Sequence, residues 1–197
     1  MMSRGYDARA IANLILDEAE GRGLKLTNLK LQKLLFLCHA LFLVQRGRPL
    51  VHGSFEAWQY GPVSREANES FRRFGRSIIT ERATARNPAT GAHREIPSAT
   101  DLEARATVSR VVEFYGNWSA GQLVDLTHAK NGPWDYVVRE SAGKANFGLR
   151  ISDRTIVERF KYLWFGAKQN SRTAEPHEDH PLVARDRSRP DRVAPDR

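Results

Sequence analysis

The 197-residue chain has a single cysteine, Cys38. One thiol allows no internal disulfide, and it excludes the Cys-rich zinc modules, which need clustered Cys and His at short spacings. The chain also has no long apolar run. Its most apolar stretch, LLFLCHALFLV from Leu34 to Val44, is eleven residues, well short of the about 20 that a helix needs to cross a bilayer. The N-terminal MMSRGYDARA has neither the apolar centre nor the cleavage pattern of a secretory signal. These absences predict a cytoplasmic protein with no membrane partner.

Reactive motifs are missing as well. The GRG at Gly21 to Gly23 lacks the lysine and spacing of a phosphate-binding loop, and there is no GxSxG elbow. Cys38 and His39 are neighbours, but adjacent helical residues do not face each other, and a thiol in apolar surroundings stays protonated. The HEDH of His177 to His180 is a solvated tail sequence before it is a metal site. Paired carboxylates fall only on faces that solvation explains. No catalytic, metal-binding or cofactor-binding residue is assigned, and the chain reads as non-enzymatic.

What is present is a strong positive balance, +8 in all. Residues 168–197 hold seven basic and six acidic side chains, so nearly all of the excess belongs to the rest of the chain. A field of that sign favours anionic partners without naming them. Arg65, Arg72, Arg73, Arg76, Arg82, Arg86 and Arg94 outnumber Glu66, Glu69 and Glu81, which leaves two readings. One is a nucleic-acid-binding regulator, although no helix-turn-helix, finger or ribonucleoprotein motif accompanies it. The other is a solvated face of mixed sign.

Periodicity predicts a mainly helical fold. Asp7 caps a first helix to about Glu20, with Ile11, Leu14, Ile15 and Ala19 at helical spacing, and Gly21 and Gly23 end it. Thr27 caps a second helix to about Gln45, Leu26 packs back as a staple, and Gly47 and Pro49 stop it. This is the expected central helix. FEAWQY suggests a short strand broken by Gly61-Pro62, and Ser64 then starts a helix to Phe74. Ile78 to Ala85 and His93 to Ile96 form a hairpin across Asn87, Pro88 and Gly91.

Thr100 and Glu103 suggest a capping box for a helix that buries Leu102, Ala106, Val108, Val111, Val112 and Tyr115. Ser119 with Gln122 repeats the device, and Pro133 opens a further short helix. Ser152 caps one last helix, whose Ile156, Val157, Phe160, Leu163 and Trp164 close the core. His128, late in a helix and close to Trp134, suits a cap at the negative end of the dipole better than catalysis, for it has no acid or nucleophile beside it. Residues 167–197, rich in proline and charge and without Phe, Trp or Tyr, cannot bury enough surface to order and are predicted to be a disordered tail. The expectation is therefore one compact, mainly α domain over residues 1–166, with a small β-hairpin or short-strand element, followed by that tail.

LTNLKLQKLLFLCHALFLVQRGRPL, FEAWQYGPV, FRRFG, FYGNWSAGQLVDLTHAKNGPW and ISDRTIVERF resemble, in order and spacing, the Panacea antitoxin domain, also called SocA-like, from roughly Asp7 to Gly166. Trp58, Tyr60, Gly61 and Pro62 match its W-x-Y-G-P element, and Thr127, His128, Pro133 and Trp134 match its T-H-x4-P-W element. The resemblance implies a mostly helical bacterial or phage antitoxin that neutralises a co-encoded toxin by protein contact, without enzyme activity. In some relatives it implies an adaptor that delivers the toxin to an AAA+ protease. The two corners are expected to pack together as scaffold, or, on the sharper reading, to lend their exposed edges to the toxin contact. LFLCHALFLV is more apolar than its counterpart in many relatives, which counts against that helix as a contact surface. The tail would contribute by folding on the toxin.

Overall fold

The structure, a computed structural model, describes residues 5–87, 89–141 and 148–166, the last three of these by backbone alone. The segment 167–197, expected to be disordered, lies outside the described residues.

The first helix, α1 (Ala8–Gly21), starts where Asp7 accepts a bond from the amide of Arg9. The second, α2 (Asn28–Arg46), starts where the Thr27 hydroxyl accepts from the Lys30 amide, and it stops at Gly47 in the left-handed conformation, φ 65°. A residue with a Cβ would strain that stop. Fourteen residues of α2 are buried, which makes it the axis of the core. Packed around it are α1, α3 (Arg65–Phe71), α4 (Leu102–Tyr115), α5 (Ala120–Thr127), α7 (Asp153–Arg159) and the strand β2 (Gly61–Ser64). With α6 (Pro133–Glu140) and α8 (Lys161–Gly166), the described residues form eight α-helices and two small antiparallel sheets. None of these helices is long and apolar enough to cross a membrane.

Gly61-Pro62 does not end the β element. It opens the second strand of a hairpin. β1 (Phe55–Trp58) pairs antiparallel with β2 across Gln59 and Tyr60, Trp58 opposite Gly61. Gly61, at φ 103°, brings the chain out of the turn in a conformation glycine tolerates. Pro62 follows on an edge strand, where a missing N–H leaves no ladder bond unmade. β5 (Arg150–Ile151) covers the other edge of β1. All four β1 residues are buried, so the strand is enclosed on both faces and not half-exposed.

The expected second hairpin is present but short: β3 (Thr84–Arg86) against β4 (His93–Glu95). The chain before it, expected to be strand from Ile78, uses its backbone bonds on neighbours. The Ile79 amide donates to the Leu26 carbonyl at 2.9 Å, and Ala83 exchanges two bonds with the Asn13 side chain. Ser64 occupies the N-cap of α3 without a side-chain bond, and the helix tightens into a 3₁₀ turn (Arg72–Phe74).

α4 departs from expectation twice. Its cap is Asp101, not Thr100, because the Asp101 carboxylate takes both the Glu103 amide at 2.8 Å and the Arg48 guanidinium at 2.7 Å. Its buried face runs through Ala104, Thr107, Val108, Val111 and Val112, while Leu102 is 80% exposed and Ala106 is exposed too. Those two lie about 120° and 160° around the helix from Val108. The Ser119–Gln122 capping box forms in both directions, and Pro133 takes the first position of α6. The final helix is two helices that meet at Phe160. Ser152 caps α7 through the Thr155 amide, and Val157, expected inside, is 49% exposed. The Trp164 side chain lies outside the described residues.

Candidate functional site

Within the N-terminal half of the leucine-rich α2, three polar side chains are buried: Asn28, Gln32 and Lys33. Gln32 and Lys33 face β2, whose outer backbone edge has no strand beside it among the described residues. Buried N–H and C=O groups without partners are costly, so side chains must supply them. The Ser64 amide donates to Gln32 Oε1 at 3.1 Å, and Lys33 Nζ donates to the Pro62 carbonyl at 3.1 Å. Gln32 Nε2 donates to Asn28 Oδ1, and Asn28 Nδ2 reaches Asn68 on α3 at 2.7 Å. The polar positions of LTNLKLQKLL thus meet the backbone of the Y-G-P-V-S turn. Lys33 is fully enclosed, a placement that lysine rarely tolerates unless its ammonium is partnered.

The two corners marked in the sequence meet at this place. Trp134 Nε1 donates to the Trp58 carbonyl at 2.8 Å. His128, the C-cap of α5, stacks on Trp134 with ring centroids 3.7 Å apart and planes 10° apart. A Cβ on Gly61 would stand 2.8 Å from Thr127 Oγ1 and 3.1 Å from Lys33 Nζ, so close approach as well as backbone conformation requires glycine there. Thr127 turns its hydroxyl back to the Leu123 and Val124 carbonyls. Pro133 is buried, and Tyr60 rests on Leu29, Ala120 and Val124. Glu56, only 8% exposed, accepts from Trp58 Nε1 at 2.9 Å and from the Gly148 amide at 3.1 Å.

All eight marked residues therefore converge on one junction. Sequence reasoning missed Asn28, Gln32, Lys33 and Glu56. The available signal was polar residues at i, i+4 and i+5 inside a run of leucines, where a solvated stripe would be broader.

A second buried polar link crosses α2 further on. His39, fully enclosed, accepts the Val51 amide on Nδ1 at 3.3 Å, so its Nε2 carries the hydrogen and donates to Asp153 at 3.2 Å. It ties α2 to the start of α7. Beside it Cys38 is buried, and burial pushes its thiol far above the ordinary range, which keeps it protonated. Among the described residues no cluster of His, Cys, Asp and Glu could hold a metal ion. The His177–His180 segment lies outside them. The arginine-rich stretch carries carboxylate partners in several places: Arg65 with Glu69, Arg73 with Glu81, and Arg82 with Asp17 and Glu20.

A family model described as antitoxin SocA-like, Panacea domain, matches residues 31–135. Over 159 residues the chain is 41% identical to the Antitoxin SocA of Caulobacter vibrioides (strain NA1000 / CB15N), a match that covers 81% of this chain and 85% of that protein. No solved structure matches the chain.

Proposed function

The chain belongs to the SocA-like, Panacea-domain antitoxin family, and on that premise we propose that it neutralises a co-encoded toxin by direct protein contact, without chemistry of its own. The observation that carries this reading is how the junction spends its polar groups. Lys33, Gln32, Thr127 and Trp134 bond to backbone, and Trp58 to the Glu56 carboxylate, across three chain segments. A reacting centre would instead turn a base, a nucleophile and charge-stabilising donors toward one substrate position. A buried, mutually bonded signature suits a scaffold that presents a surface.

The partner is the toxin, and delivery of that toxin to an AAA+ protease is the second step of the proposal. Co-expression tests the first: the neighbouring open reading frame should encode a protein toxic alone, harmless with this chain, and recovered with it in a pull-down. An innocuous neighbour that never associates removes the reading. Toxin half-life tests the second. With a delivery role, toxin decay speeds up when this chain is present and slows when the protease is inactivated, whereas simple blocking leaves decay unchanged.

The division into a domain over residues 1–166 and a tail over 167–197 belongs to the same proposal, the tail adding to toxin contact by folding on it. Full neutralisation by a chain ending at Ala167 would remove the tail's part. A regulator that binds nucleic acid through the exposed Arg86 and Arg94 of the β3–β4 hairpin is the alternative. It would betray itself by affinity that falls log-linearly and steeply with salt.

A further inference from the structure

Beyond the junction, α2 borders a surface of another kind. Leu37 and Leu41 of α2, Val111 and Phe114 of α4, and Phe160 and Leu163 at the α7–α8 bend line an open cleft of about 90 Å³. Val44, 42% exposed, continues the stripe of Leu37 and Leu41 at i+7, and Phe114 is 64% exposed at the cleft wall. Leu37, Val111 and Leu163 are the buried floor of the cleft, and Leu41, Phe160 and Phe114 form its more open rim; apolar surface that remains contiguous at such a rim marks a contact site more often than scattered single residues do. Arg110 stands in the lining, and among the described residues no carboxylate pairs with it. The cleft also straddles the matched family segment: Leu37, Leu41, Val111 and Phe114 fall within residues 31–135, and Phe160 and Leu163 lie beyond it.

We infer that this cleft is the docking surface for the toxin, and that it receives an amphipathic segment whose apolar side chains enter between α2, α4 and α8 while a carboxylate of that segment meets Arg110. The inference rests on the antitoxin reading and adds the surface and the chemistry of the partner. Charge decides the occupant. A second copy of this chain would bring another strongly positive body to an arginine-bearing cleft, whereas an acidic, apolar segment is complementary to it. The cleft is small and acts as an anchor point, with the surrounding surface completing the contact.

The test uses the full chain and the purified product of the neighbouring toxin gene. Wild type, Phe114→Ala and Arg110→Glu are compared by titration calorimetry, by melting temperature and by sedimentation of the chain alone. Both positions are exposed, so the variants should melt as wild type does. Phe114→Ala should weaken toxin binding about tenfold, and Arg110→Glu should weaken it comparably with a shallower salt dependence. Wild-type affinity in both variants overturns the docking surface and leaves the antitoxin reading standing. Absence of toxin binding by the wild type overturns both. A dimer of this chain that Phe114→Ala dissociates, with toxin affinity unmoved, assigns the cleft to self-association and overturns the inference as well.

Discussion

The hairpin junction and the apolar cleft occupy the N-terminal and C-terminal halves of one helix, α2, and they use it in opposite ways. In the first half, Asn28, Gln32 and Lys33 are polar, buried and bonded to β2 and α3. In the second half, Leu37, Leu41 and Val44 are apolar and border open space. A buried polar group is costly to leave unmatched, so the junction tolerates one arrangement. An apolar wall has no directional demand and can accept many shapes. The difference teaches where to look for constancy and where for adaptation: under the proposed reading, the signature locks the fold and the cleft is left for contact.

The strongest way to break this comparison is at Trp58. Truncation to Ala should cost about 4 kcal/mol, the usual loss for a buried Trp, and denaturant unfolding and neutralisation should fail together. Normal unfolding with lost neutralisation would move Trp58 to the contact surface. Gly61→Ala follows, at about 3 kcal/mol, since it imposes both a strained φ and a clash with Thr127. A thermal melt within a degree of wild type would show that the junction yields.

His39→Leu probes the ground between the two halves. It strips the Val51 amide of its acceptor and Asp153 of its donor, and should cost about 1–3 kcal/mol in equilibrium unfolding. Asp101→Ala should cost about 1 kcal/mol as a lost helix cap, and it carries a pH signature. The hydrogen bond from Arg48 holds the Asp101 carboxyl below its ordinary range. At Asp7 burial works against ionisation, but the bonds from the Arg9 side chain and amide prevail, and its carboxyl is lowered as well. A depressed carboxyl contributes fully above its unfolded value, near pH 4, and loses that contribution as pH falls through the folded value. Melting curves of Asp101→Ala should therefore converge on wild type as the pH drops below about 4. The smallest effect on stability belongs to Phe114→Ala, within about 0.5 kcal/mol as for an exposed site. A larger loss would place Phe114 in the core and dissolve the contrast.

The helix starts at Asp7, Thr27, Ser119 and Ser152 were legible because a cap is local: one side chain answers an amide two or three residues on. The start at Asp101 was misread for the complementary reason. Thr100 and Glu103 fit a capping pattern, but Arg48, 53 residues away in the chain, selects the carboxylate next door. The hairpin was half-read. Gly61 and Pro62 signal a turn to any local rule, and nothing within the segment says that β2 continues along β1. Of the site, the eight marked residues were visible as two corners. Lys33 was not, since a lysine on a helix ordinarily reaches water, and here an edge strand offers its buried ammonium the Pro62 carbonyl.

Taken alone, the order of residues determined the helical class, most helix ends, the enclosure of α2 and the kinship with the antitoxin family. These follow from periodicity, caps and motif spacing, each carried by a few neighbouring residues. Only the tertiary structure decided which polar groups are buried, which face of α4 turns inward, and that an apolar cleft remains open between α2, α4 and α8. Those outcomes depend on what other segments place opposite each side chain, and desolvation and packing are set by neighbours in space, not by neighbours in the chain.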